Sequence, residues 1–232
     1  VIENMAKTKV VRDLELKRTY SETECEDCVK NKGKAVPHKS RSTEKAEKPG
    51  TSLHLDTAGP MSESSLGGSK YFVLCKDEAS SFRKVAFVET KDEIPVVVKG
   101  IIVESDFETK NKVARICTDN GTEFKNRNLA GFLNEYGIKH EFSTPYVPQQ
   151  NGFIERDMRT IVRSARTMLN SSTLPKKLWA EAVNTAVYVL NRVPTVVKPD
   201  QTPYEAWFGT KPSVKNLRVF GQRAIVNRPL VF

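Results

Sequence analysis

Three acidic side chains are placed where a fold presents ligands. Asp56 closes the apolar run Leu53-His54-Leu55 and precedes Thr57-Ala58-Gly59-Pro60; Asp119 closes Ile116-Cys117-Thr118 and precedes Asn120-Gly121. An Asp ahead of such a turn is often only a turn former. An acid at the carboxyl end of a sheet strand, however, lies where open α/β sheets place their ligands, and two such acids converge if their strands are neighbours. Glu155 supplies a third, after Pro145-Tyr146-Val147-Pro148-Gln149-Gln150-Asn151-Gly152, in the first turn of a helix expected to begin near Gly152. The helix dipole alone would accommodate an acid there, at a few tenths to about 1 kcal/mol. Together the three form an all-oxygen set of the kind that suits a hard cation such as Mg2+. Glu123 is the main competing acid nearby.

Positioning these acids takes a sheet and helices. Thr51 to Asp56, Lys70 to Lys76, Arg83 to Glu89 and Val113 to Thr118 are short, rich in β-branched, aromatic and leucine residues, and separated by turn residues, so they are predicted strands. Lys139 to Ser143 is a weaker fifth. Ile94 to Thr109 and Phe124 to Tyr136 carry apolar residues at helical spacing, and two further helices are expected from about Gly152 to Asn170 and Lys176 to Val193. Short turns between the first three strands predict an antiparallel meander; the later alternation requires crossovers and parallel pairing. The expected fold class is α/β, a ribonuclease-H-like mixed five-stranded sheet flanked by helices.

The helix bearing Glu155 has two faces. Met158, Ile161, Val162, Ala165 and Leu169 form one, Arg156, Arg159, Arg163 and Arg166 the opposite one, and Glu155 projects at their border. The arginine stripe is either a solvated face or a track for a phosphate backbone. The stripe from Leu178 and Trp179 to Val193 reads as plain core, and Tyr204, Trp207 and Phe208, after Pro203, as a packed short helix.

At 232 residues and 38% hydrophobic content the chain can bury one sizeable core and carry one small appended module. No run approaches the roughly 18 apolar residues of a membrane helix, and Val1 to Lys9 lacks a signal peptide's apolar centre, so a soluble, intracellular protein without a membrane partner is expected. The chain opens on Val1 rather than Met and stops at Phe232 within a strand-like run, which suggests a piece of a longer polypeptide. Lys and Arg outnumber Asp and Glu by 37 to 28, a surplus that attracts phosphate backbones. From Lys30 to Gly50 seven Lys/Arg stand against two Glu, with almost no large apolar residue. This reads as a basic tether, with DNA contact or a nuclear address as further roles. Among four cysteines, Cys25-Glu26-Asp27-Cys28 is the spacing of a metal or redox pair rather than of a disulfide framework.

Asp119 and Glu155 are separated by 35 residues, and this Asp, Asp, 35, Glu arrangement resembles retroviral and retrotransposon integrases. The wording is closer to the copia type. Asp-Thr-Ala-Gly-Pro from Asp56, Thr118-Asp119-Asn120-Gly121-Thr122-Glu123-Phe124, Pro148-Gln149-Gln150-Asn151-Gly152, Glu155-Arg156, Trp179-Ala180-Glu181-Ala182, Asn191-Arg192-Val193-Pro194, Thr202-Pro203-Tyr204-Glu205 and Leu217-Arg218-Val219-Phe220-Gly221 all look like copia integrase segments in the expected order. The resemblance runs from about Cys25 to the end. Ala58, where a Cys is expected nearby, and Met158, where Asn is expected, depart from the pattern without touching the acids.

The resemblance implies a metal-dependent DNA integrase from a polyprotein, which trims the ends of an element's DNA and transfers the 3′ hydroxyl ends into target DNA. Cutting and joining phosphodiesters needs a clamp on the attacking and leaving oxygens, and two hard cations about 3.5 to 4 Å apart provide one. Asp56 is assigned as the bridging ligand of two Mg2+ or Mn2+, with Asp119 and Glu155 each completing one metal. Tyr146, Gln149, Gln150 and Asn151 would contact DNA from a substrate-facing loop, and Arg156, Arg159, Arg163 and Arg166 from the helix. Cys25 and Cys28 resemble the second half of a His-His-Cys-Cys zinc module. With His38, His54 and His140 all downstream, two of the four ligands of a structural Zn2+ are present here, and zinc binding is expected of the full-length protein. The expected division is the end of a zinc module over 1–29, the linker over 30–50, a catalytic core over 51–212 and a following segment over 213–232. The implied partners are element-end DNA, target DNA and further copies of the chain; the implied location is a cytoplasmic particle, then the nucleus. A nuclease that hydrolyses without joining, and a catalytically silent DNA-binding protein, are the alternatives.

Overall fold

The computed structural model describes Met5 and residues 7–12, 46–143 and 148–224, the side chains of 148–151 excepted. Cys25, Cys28 and Tyr146 lie outside the described residues, as does most of the basic linker. Five strands form one sheet: β1 (Ser52–Ala58), β2 (Tyr71–Asp77), β3 (Arg83–Val88), β4 (Arg115–Thr118) and β5 (Lys139–Phe142). Their order is β3-β2-β1-β4-β5. The first three pair antiparallel, while β4 is parallel to both β1 and β5. This is the mixed ribonuclease-H-like sheet expected from the strand spacing.

Alternation along the strands gives each face its own core. Leu53, Leu55, Val73, Cys75 and Ile116 point to one side and pack with α1 (Ile94–Thr109), α2 (Arg127–Glu135) and Trp207 of α5 (Pro203–Phe208). Phe72 and Leu74 point to the other, beneath α3 (Pro148–Ser172) and α4 (Trp179–Leu190), where Ile154, Ile161, Ala165 and Trp179 close over them. Burying one such large apolar side chain stabilises the fold by about 1.5 to 3 kcal/mol, so the two-sided core fixes which face every strand residue takes.

Local chemistry sets the boundaries. Thr202 caps α5, its side chain accepting from Glu205 N–H at 3.0 Å, with Pro203 in the first turn. Gly50, at φ +82, donates to Asp77 Oδ1 at 2.8 Å, and a Cβ there would stand 2.6 Å from Thr109 Oγ1. The chain entering β1 is thereby fastened to the β2–β3 hairpin. Before it, Arg12 forms a parallel bridge with Ser213, so residues 10–12 dock beside the segment after α5. Among the described residues no helix is long and apolar enough to cross a membrane.

Several expected boundaries move, among them the helix expected from Phe124, which begins at Arg127, and two of the shifts bear on the site. β1 runs through Ala58, because Thr57 and Ala58 still pair with Val73 and Phe72, so Asp56 lies inside the strand rather than at its end. α3 begins at Pro148 rather than near Gly152. Proline is suited to the first position of a helix, where its missing N–H has no intrahelical partner to lose. Glu155 is therefore two turns in, out of reach of the helix-dipole explanation, and Gln149, Gln150 and Asn151 lie on helical backbone rather than in a loop.

Candidate active site

Asp56 and Asp119 meet through strand register. β1 and β4 are parallel neighbours with His54 paired to Cys117, and two residues further along both chains bring Asp56 and Asp119 abreast. Asp119 is the first residue past β4. Both side chains share the face of Ser52, His54, Arg115 and Cys117, which is the α3 side of the sheet. Each is tethered locally: Asp56 Oδ1 accepts from Thr57 N–H at 2.8 Å, and Asp119 Oδ1 from Gly121 N–H at 3.0 Å.

Glu155 enters from α3. The buried Ile154, 1% exposed, anchors this turn in the core, and the next residue is presented at the surface. Asp56 and Glu155 line one open cleft of about 460 Å³ together with Met158, Arg159, Val162, Arg163 and Arg166. Three of the four stripe arginines thus share a cleft with two of the acids. Arg156 is turned back, its Nε donating to the Gly152 carbonyl at 2.6 Å.

Electrostatics registers the convergence. Burial pushes the Asp56 carboxyl up to about 6; the Thr57 N–H opposes this, and the charges of Asp119, Glu155 and Glu123 reinforce it. Glu123, set aside as a competing acid, therefore belongs to the same cluster. Its Oε1 accepts from Lys91 Nζ at 2.9 Å. Burial alone would raise the Glu123 carboxyl, but Lys91, with hydrogen bonds from its own backbone N–H and from Thr122, outweighs it and holds the group below its ordinary value. Among the described residues no three His, Cys, Asp or Glu side chains stand close enough to hold an ion as they lie. An all-carboxylate donor set nevertheless fits Mg2+ or Mn2+, and a divalent cation would favour the charged form of Asp56, which burial opposes first and its acidic neighbours second.

The retrovirus-related Pol polyprotein from transposon TNT 1-94 of Nicotiana tabacum is 40% identical over 177 residues, covering 76% of this chain and 13% of the relative. That from transposon RE2 of Arabidopsis thaliana is 32% identical over 200 residues, covering 85% of this chain and 13% of the relative. The chain belongs to the copia-type retrotransposon integrases. The chain spans only 13% of the length of each of these polyproteins. A family model described as the TnsB C-terminal domain matches residues 80–171, which include Asp119 and Glu155 but not Asp56.

Solved structures extend the fold likeness of this integrase. The HTLV-2 integrase catalytic core domain in complex with magnesium, in a trimeric form, is 19% identical with a TM-score of 0.51, covering 69% of this chain and 97% of that one. A chain of the simian T-cell lymphotropic virus intasome in complex with the PP2A regulatory subunit B56 gamma is 16% identical with a TM-score of 0.58, covering 88% of this chain and 69% of that one. At this level of identity the solved structures show an integrase-core fold, and family membership rests on the polyprotein relatives.

The sequence reading missed Lys76, Arg83 and Asp157. Asp157, two residues past Glu155, pairs with Lys76 at 3.1 Å and with Arg83, and all three are nearly buried. Lys76 and Arg83 were only the last residue of one predicted strand and the first of the next, and nothing local signals a partner 74 residues from Arg83.

Proposed function

We propose that the chain is the catalytic core of an integrase that trims the ends of element DNA and joins the freed 3′ hydroxyls to target DNA. The observation that carries this reading is the convergence of Asp56, on β1, with Asp119, just past the end of the neighbouring β4, and with Glu155 in the same cleft as Asp56. Asp56 would be shared between two Mg2+ or Mn2+ ions, with Asp119 and Glu155 each completing one. When bound, the ions supply positive charge against the attacking and leaving oxygens of the phosphodiester.

The chain's own residues orient the substrate. Arg159, Arg163 and Arg166 line the cleft beside the acids, where a guanidinium fork can take two oxygens of one phosphate. Met158 and Val162 add an apolar lining to the same open cleft. In trimming, water attacks phosphorus and the strand's 3′ oxygen leaves; in joining, that 3′ hydroxyl attacks a target phosphate and the target's own 3′ oxygen leaves. Trimming is a hydrolysis and joining exchanges one phosphodiester for another, so neither step requires a nucleotide cofactor. Further copies of the chain would bring the two element ends together.

The test is a labelled duplex bearing the element's terminal sequence, incubated with the chain, Mg2+ or Mn2+ and a target plasmid. Label joined to the plasmid is expected. Shortened label without joined product would make the protein a nuclease, and DNA binding without either product would make it a silent binder.

A further inference from the structure

We infer that Lys76 is a positioning residue for Glu155, a role that rests on the reading of Glu155 as a metal-holding carboxylate. Lys76 comes from β2, 6% exposed, and its ammonium makes two contacts with α3. It lies 3.6 Å from the centroid of the Phe153 ring and 3.1 Å from Asp157 Oδ2. Phe153 and Asp157 are one helical turn apart and bracket Glu155, two residues before it and two after. One cation therefore fastens the two ends of the turn that presents the carboxylate, on the helix face turned away from it.

The grip is directional where the surrounding core is not. Ile154 and Ile161 hold α3 against the sheet by apolar burial, which tolerates small slides and rotations of a helix. An ammonium seated over a ring face and against a carboxylate tolerates much less. His54 meets the same ring edge-on at 5.0 Å, and Arg83 takes Asp157 from β3. Lys76 is also tied to the other side of the site. It pairs with His54 across the β1–β2 ladder, and two residues away Leu74 pairs with Asp56. The lysine thus links the strand that carries Asp56 to the turn that carries Glu155, and fixes the separation of the two acids.

Stability alone gives little reason for this lysine. A buried ion pair is commonly matched or bettered by apolar residues of the same volume, and burial lowers the Lys76 ammonium to about 8 even with Asp157 beside it. The neighbouring β2 residues on this face, Phe72 and Leu74, are fully apolar. A charge kept at this position is explained by the geometry it imposes on α3.

The experiment compares Lys76→Met, Lys76→Arg and Asp119→Asn in the full 232-residue chain. Melting temperature, Mn2+ binding by calorimetry in the absence of DNA, and strand-transfer kcat and KM are measured. Lys76→Met should stay folded, with Mn2+ affinity and kcat each reduced about 10- to 100-fold, as for other residues that orient metal ligands, and with KM for DNA nearly unchanged. Lys76→Arg, which keeps the cation, should recover most of both losses. If Lys76→Met does not fold, Asp157→Asn, which keeps the shape and removes the charge, is held to the same expectation. Wild-type Mn2+ affinity and kcat in the folded variant, with only the melting temperature altered, overturn the positioning role. If Asp119→Asn also binds Mn2+ normally, the metal-holding reading of the acids fails, and this inference with it.

Discussion

Glu123 lies within reach of Asp119, yet Lys91 stands 2.9 Å from its carboxylate, whereas Asp56 is pushed up to about 6 by burial and by its acidic neighbours. Both were visible in the sequence as acids beside turns, and only spacing and resemblance separated them. Their different electrostatics follow from Lys91, 32 residues before Glu123, a partner that local sequence does not announce. The arginines divide in the same way. All four were legible as one stripe, but Arg159, Arg163 and Arg166 line the cleft while Arg156 is engaged with the Gly152 carbonyl. If the cleft tracks a phosphate backbone, each arginine contact releases counterions, and log affinity falls with log salt at roughly 0.9 per contact on duplex DNA. Replacing Arg159 and Arg163 by Ala should flatten that slope by about 1 to 2 units and weaken binding nearly equally on unrelated sequences. Arg156→Ala should change the slope less. An unchanged slope in the folded double variant returns the stripe to a solvated helix face.

At the scale of elements, each strand and each long helix was legible, because short runs rich in β-branched, aromatic and leucine residues stand between turn residues, most weakly at Lys139 to Ser143, and apolar residues recur at helical spacing in α1, α3 and α4. The start of α3 was not. Two prolines and a glycine in Pro145 to Gly152 signal a loop, yet Pro148 is suited to opening a helix and the turn from Phe153 to Asp157 is held by Lys76. Tertiary contact there overrides the cost of Gly152, about 1 kcal/mol relative to Ala inside a helix. Asn191 shows an element joint of another kind. At the end of α4 its side-chain oxygen accepts from Arg83 N–H at 2.9 Å and its amide donates to the Arg83 carbonyl at 2.8 Å, satisfying the outer edge of β3. The Asn191-Arg192-Val193-Pro194 resemblance thus has an architectural cause at its first residue. Asn191→Ala leaves two buried backbone groups unpaired, at about 1 to 3 kcal/mol each, and chemical denaturation should register a loss of about 2 to 5 kcal/mol. A loss below about 1 kcal/mol would mean that water or a backbone shift replaces the amide.

The whole molecule is a sheet cored on both faces, with its acids on the side of α3 and α4 and residues 10–12 docked beside 212–214. That docking was not legible, since a bridge between segments some 200 residues apart leaves no local pattern. The charge excess of the chain was legible and supports a polyanionic partner, but composition cannot say which chemistry is done on it. The central claim, that Asp56, Asp119 and Glu155 make this fold an enzyme that joins DNA, is tested most directly by strand transfer with Mg2+ or Mn2+ in Asp119→Asn and Glu155→Gln, with Glu123→Gln as the paired control. The first two are predicted to lose more than about a hundredfold in rate, at about 1.4 kcal/mol of barrier per tenfold, while remaining folded. Glu123→Gln is predicted to stay within about tenfold of wild type. Joining within about tenfold of wild type by a folded Asp119→Asn or Glu155→Gln variant would contradict the account.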